Sequence, residues 1–139
     1  MSSIYSSQAV LGNAIGPVSG QYAPIPHLNP LKITDDELYF GGTASLNLYL
    51  GYVTSDQIIS FSFYVNIIET TSGNVVSETY FGGGGGISTV VSVSTIYNIA
   101  PKAQPIFVAQ WKVAGSTGAT VRPPVTISFS AIVFESEGT

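Results

Sequence analysis

Residues 58–69 read IISFSFYVNIIE, and their alternation decides the fold class. Ile59, Phe61, Phe63, Val65 and Ile67 alternate with Ser60, Ser62, Tyr64 and Asn66. Apolar side chains at every second position share one face of an extended strand. A helix would scatter the same five around its circumference. The stretch is expected to be a central strand of an all-β, antiparallel β-sandwich with one buried face.

The flanking sequence repeats the pattern. Residues 44–53, ASLNLYLGYV, place Leu46, Leu48, Leu50 and Tyr52 on one side and Ser45, Asn47 and Tyr49 on the other. After 58–69, the stretch TTSGN at 70–74 has the turn residues of a hairpin loop, and 75–81 returns as the next strand. Residues 87–99 form a β-branched run, 106–113 a strand containing Trp111, and 119–121 a short strand before Pro123 and Pro124. Residues 125–135, VTISFSAIVFE, close the chain's pattern. There Val125, Ile127, Phe129, Ala131 and Val133 face one way, while Ile132 and Phe134 supply a second apolar face. Regularly spaced short strands with turn signals and no helical period indicate a sandwich or barrel.

Composition agrees. Val and Ile number 28 against seven Leu, with eight Tyr, seven Phe and twelve Thr, a strand-favouring mixture. The 139 residues suffice for one domain with a single core. Charged residues are only 9% of the chain, against about 25% in ordinary soluble domains. A lone monomer usually carries more, so much of the surface is expected to be Ser, Thr, Asn and Gly or to be covered by other subunits. A net charge of −4 with four scattered basic residues argues against nucleic acid. No apolar run is long enough for a membrane-spanning helix, and the first residues lack the basic and apolar regions of a signal peptide. There is no cysteine, hence no disulfide frame.

Residues 1–37 read differently from the body at 38–139. Gly12, Gly16 and Gly20 are joined by Pro17, Pro24, Pro26 and Pro30, and the stretch YAPIPHLNP suits neither a helix nor a central strand. Yet Ile4, Tyr5, Val10, Leu11, Ile15, Ile25, Leu28 and Leu31 make it more apolar than a disordered tail. It is expected to be an extended N-terminal arm that anchors to neighbours or to a larger shell.

No catalytic constellation stands out. His27 is the sole histidine and cannot alone build a triad or a His-based metal site. Asp35, Asp36 and Glu37 are the only acidic cluster, and so the one calcium candidate. The plainer interpretation is a solvated junction between arm and body, and neither metal nor cofactor is expected. Gly82 to Gly86 lack the following Lys-Ser/Thr and helix of a phosphate loop. Five consecutive glycines are expected instead to form a mobile or closely packed loop. Trp111 and the tyrosines are the candidates for stacking on a ligand such as a sugar ring, with core or subunit packing as the simpler alternative. Outward aromatic and aliphatic side chains need cover, which marks Tyr49, Tyr64, Ile132 and Phe134 as oligomer contacts.

Residues 107–135 join a Trp-bearing strand, FVAQWKVAG, to a Ser/Thr/Gly hairpin and a closing strand, TISFSAIVFE. This third of the chain resembles tumour-necrosis-factor-like and complement-globular-head-like trimeric jelly rolls, including those of phage spikes, fibres and head-decoration proteins. The stalk of collagen type found in some relatives is absent, so the resemblance is nearer to a virion decoration or small capsid protein. It implies a compact homotrimer with aromatic and aliphatic side chains along the threefold axis. The expected function is therefore a non-enzymatic structural protein of a virus particle, assembled in the host cytoplasm. It would be a jelly-roll homotrimer whose arm contacts other virion proteins. The alternative is a carbohydrate- or receptor-binding module of a phage fibre or cell-surface filament. A polysaccharide hydrolase lacks a carboxylate pair to carry it.

Overall fold

The inward rows described above build two antiparallel sheets, stacked face to face, in a computed structural model that describes residues 2–11, 21–34, 38–55, 61–83, 88–115, 119–121 and 125–136. Ten strands are present: β1 (Ser2–Leu11), β2 (Ala23–Pro24), β3 (Leu31–Lys32), β4 (Gly42–Ser55), β5 (Phe61–Glu69), β6 (Asn74–Gly83), β7 (Ser88–Ile99), β8 (Ile106–Gly115), β9 (Ala119–Val121) and β10 (Val125–Glu135). The described residues contain no helix. The expected all-β, antiparallel sandwich is what the chain forms.

Sheet A runs β1-β10-β4-β7, with β9 on β4 beyond the end of β10. Sheet B runs β2-β8-β5-β6, with β3 beside β2 on the same edge of β8. Taking β2 and β3 as one interrupted strand, the pairings are nested. The first strand pairs with the last (β1·β10), the second with β8, β4 with β7, and β5 with its hairpin neighbour β6. That is one long antiparallel ribbon folded at the 70–73 turn. Two further pairings, β10·β4 and β5·β8, roll the ribbon into two layers.

The layers close over alternating side chains. Ala44, Leu46 and Leu48 of β4 and Ile127, Phe129, Ala131 and Val133 of β10 are buried from sheet A. They face Phe63, Val65 and Ile67 of β5 and Phe107, Ala109 and Trp111 of β8. Trp111 meets Phe63 edge-on, with ring centroids 6.3 Å apart. Burial of such side chains contributes about 1.5–3 kcal/mol each. A bulge between Tyr49 and Gly51 shifts the register of β4 against β7. Gly41, at φ +80°, turns the chain into β4 so tightly that a Cβ there would strike the carbonyl oxygen of Ile99.

The N-terminal expectation is corrected. β1 pairs with β10 over all ten of its residues, and Ala9, Ile25, Leu31 and Ile33 belong to the core. The amide of Ile25 donates to the Ala109 carbonyl at 3.1 Å and that of Ile33 to the Pro105 carbonyl at 3.0 Å. The amide of Asn29 donates to the buried Ser7 hydroxyl at 2.9 Å. Of the apolar residues that set this segment apart from a disordered tail, Ile25 and Leu31 are buried in the sandwich and Tyr5 and Leu28 pack against its core, while Ile4 and Val10 are exposed. Residues 1–37 and 38–139 therefore share one core, and the described part of 1–37 is not an arm.

Candidate functional site

With the inner faces filled, any interaction falls to the outer faces, the turns and the edges. The two outer faces differ sharply in chemistry.

On sheet A the registers align outward residues in rows across the strands. One row is Ile4, Ile132, Ser45 and Ile96. Beside it lie Phe134, Thr43 and Asn98 on one side, and Ser6, Ser130, Asn47 and Ser94 on the other. A fourth row is Gln8, Ser128, Tyr49 and Ser92. None of these positions carries a charge. Ile4 is 74% exposed, Ile96 68% and Phe134 51%. The Ser94 hydroxyl donates to Asn47 Oδ1 at 2.7 Å, a bond across β7 and β4 on this face. Tyr49, Ile132 and Phe134 all lie here.

Tyr64 lies on the opposite face, on sheet B, and belongs to an aromatic row. It stands opposite Lys112 on β8 and Tyr80 on β6, while Tyr22 lies just before β2, where Ala23 pairs with Trp111. The Tyr64 and Tyr80 ring centroids are 5.2 Å apart. The Lys112 ammonium sits between two rings, 4.5 Å from the Tyr22 centroid and 4.8 Å from that of Tyr64. The Tyr22 hydroxyl donates to Glu78 Oε2 at 2.8 Å. Tyr22 and Glu78 occupy opposite edges of sheet B, three strand spacings of about 4.8 Å apart. The two side chains must therefore reach toward each other, Tyr22 over β8 and Glu78 back over β5. Burial, then the bond to Glu78, raises the Tyr22 phenol well above its ordinary pKa.

In the row of Glu78 lie Asn66 and Gln110, which pair with each other, Asn66 standing opposite Glu78. Asn66 is only 3% exposed although it is on the outward side of β5. Its Oδ1 has no hydrogen-bond partner. An unsatisfied buried acceptor costs about 1–3 kcal/mol.

A second buried polar group is fully bonded. Glu69 ends the inward row of β5 and is 1% exposed. One carboxylate oxygen accepts from the amides of Thr71 and Ile106, both at 3.0 Å. The other accepts from the Ser72 amide at 2.9 Å and from the Thr71 hydroxyl. Burial alone would raise the Glu69 pKa, but these four donors outweigh it and hold it at about 2. Glu69 thus ties the β5–β6 turn to the start of β8.

Trp111 is corrected as a stacking residue. It is 1% exposed and packed on Phe63, so neither ring face is open to a ligand. His27 is exposed in a turn, at φ 64°. Gly82 and Gly83 continue β6, paired with Ser62 and Phe61. Gly84 to Gly86 and the calcium candidates Asp35, Asp36 and Glu37 lie outside the described residues.

The strands themselves were marked by alternation, but the tyrosine row was not. Tyr64 and Tyr80 each sit at an outward position of a legible strand. Their meeting with Tyr22 depends on strand order, which periodicity does not carry.

No family model matches this chain, and no curated protein does. Among solved structures, one of infectious bursal disease virus, Gx strain, aligns over 99% of this chain at 11% identity and a TM-score of 0.41. The chain spans 33% of that structure's chain. A likeness so distant carries no inference about activity, partners or location.

Proposed function

We propose that this protein is a non-enzymatic structural subunit of jelly-roll type that assembles with copies of itself through the outer face of sheet A. The nested ribbon of strands, rolled into two layers, is how a jelly roll is wound. The observation that carries the assembly reading is the uncharged face bearing exposed Ile4, Ile96 and Phe134. A chain of net charge −4 repels its copies elsewhere, and a neutral face is where two such surfaces approach at least cost. The resemblance of residues 107–135 to trimeric heads supports three copies. It also supports a place in a virus particle, as a decoration, spike or small capsid component.

Magnitude limits the strength of this contact. Four strands about 4.8 Å apart and four rows about 6.8 Å apart span roughly 500 Å². A stable interface buries about 800 Å² per partner. Loops flanking the sheet must add area, and association is expected to depend on concentration. Light scattering after size exclusion, across a concentration series, tests this. A mass rising from 14.6 kDa toward three times that value supports the proposal. A mass fixed at the monomer value at every concentration overturns it.

A further inference from the structure

The outer face of sheet B poses a separate question, because its chemistry has no role in that assembly. Three features there need one explanation. Tyr80 exposes 56% of its surface at the end of the aromatic row. Lys112 is held between the Tyr22 and Tyr64 rings, while Glu78 is held by the Tyr22 hydroxyl. Asn66 stands opposite Glu78 with a buried, unbonded amide oxygen directed to the same outward side as Tyr64.

We infer that this face is a binding site for a neutral sugar ring, with Tyr22 as its latch. The physical case has three parts. An exposed tyrosine face suits the apolar C–H side of a pyranose, and Tyr80 provides one. A sugar hydroxyl is a donor, which Asn66 Oδ1 lacks, so binding removes the cost of an unsatisfied acceptor. One ammonium and one carboxylate give the site no net charge, which favours a neutral sugar over a sialylated or uronic one.

The latch follows from reach. Tyr22 reaches over β8 and is held at its far end by the bond to Glu78, the residue that stands opposite Asn66. Breaking that bond lets the ring swing outward without moving a strand of sheet B. It also frees the Glu78 carboxylate to accept from a second sugar hydroxyl, and unclamps one side of Lys112. The bound ring then lies between Tyr80 and Asn66, which stand on neighbouring strands.

Chemical-shift perturbation on the full ¹⁵N-labelled chain tests the site. The probes are the methyl glycosides of glucose, galactose, mannose and N-acetylglucosamine, with sialic acid and glucuronic acid as charged counterparts. The expected result is saturable shifts at the amides of Tyr64, Asn66 and Glu78 with at least one neutral glycoside. Tyr80→Ala, at an exposed position, should weaken that binding about tenfold, corresponding to loss of one stacking contact. Asn66→Leu should abolish it, and Tyr22→Phe, which cannot hold Glu78, should strengthen it. A printed array of neutral oligosaccharides separates sources: binding there identifies a glycan end, and binding of glycosides alone identifies a free sugar. Absence of shifts with every neutral glycoside overturns the inference, as does a preference for the acidic sugars. So does a Tyr80→Ala protein that binds as wild type, a comparison that holds even where Asn66→Leu fails to fold.

Discussion

Glu69 shows how one residue can fasten several elements. Its position continues the buried row Phe63, Val65, Ile67, so an acid falls where the pattern asks for an apolar side chain. Three amides and one hydroxyl converge on the carboxylate because the 70–73 turn and the start of β8 would otherwise leave those donors unpaired. The folded-state pKa of about 2 lies below the ordinary 4.5, so the ionised form is bound more tightly by the folded chain. That stabilisation is complete above pH 4.5 and fades as pH falls toward 2. A shift of this size corresponds to roughly 3 kcal/mol. Glu69→Gln, whose amide nitrogen would face donors, is expected to lower stability by up to about 3 kcal/mol at neutral pH. Denaturant melts of both proteins should converge between pH 4.5 and 2. A gap independent of pH would mean that the carboxylate's charge is not what matters.

At the scale of elements, alternation located most strands well. The stretches 119–121 and 125–135 form β9 and β10 with the expected limits, and of the expected 70–74 turn residues 70–73 lie between β5 and β6 while Asn74 begins β6. The failure was β1, and its cause is specific. In SSIYSSQAVL the apolar Ile4 and Val10 point outward, while Ser7 and Ala9 are buried. The polarity of the period is reversed, so the segment does not read as a strand with a buried face. β2 and β3 are two residues each, set among prolines, too short for any period to register. The turn at 70–73 was legible, but not its fastening to β8 through Glu69. These facts separate two behaviours on truncation. Deleting residues 2–11 removes an edge strand and exposes the β10 edge and the core beside Ala9. The truncated chain is expected to melt well below the full chain, or to aggregate through the opened edge. Were residues 1–37 an arm, the same deletion would leave the melting temperature unchanged and alter assembly only. Circular dichroism melts at low concentration distinguish the two.

For the whole molecule, the two outer faces differ in charge. Sheet B concentrates Lys112, Glu78 and the tyrosines, while sheet A leaves four rows without a charge. Positions such as Tyr49 and Phe134 were legible as outward aromatics, but the Ile4–Ile132–Ser45–Ile96 row was not. It joins β1, β10, β4 and β7, which lie far apart along the chain and become neighbours only by the ribbon's wind. The contrast between the faces predicts a salt response. Association through a neutral apolar face gains nothing from ion pairs, whereas the net charge of −4 on each copy opposes it at long range. Salt shortens the Debye length from about 30 Å at 0.01 M to about 8 Å at 0.15 M. Raising salt over that range is therefore expected to strengthen self-association, measured as average mass at fixed protein concentration. Ile4→Ser with Ile96→Ser should abolish association at both salts while leaving the monomer's melting temperature nearly unchanged, because both side chains are largely exposed. Association that weakens with salt would assign the contact to charged groups, hence to sheet B or the edges. Loss of association in the double variant together with retained sugar-induced shifts at Tyr64 and Asn66 would show the two faces acting independently.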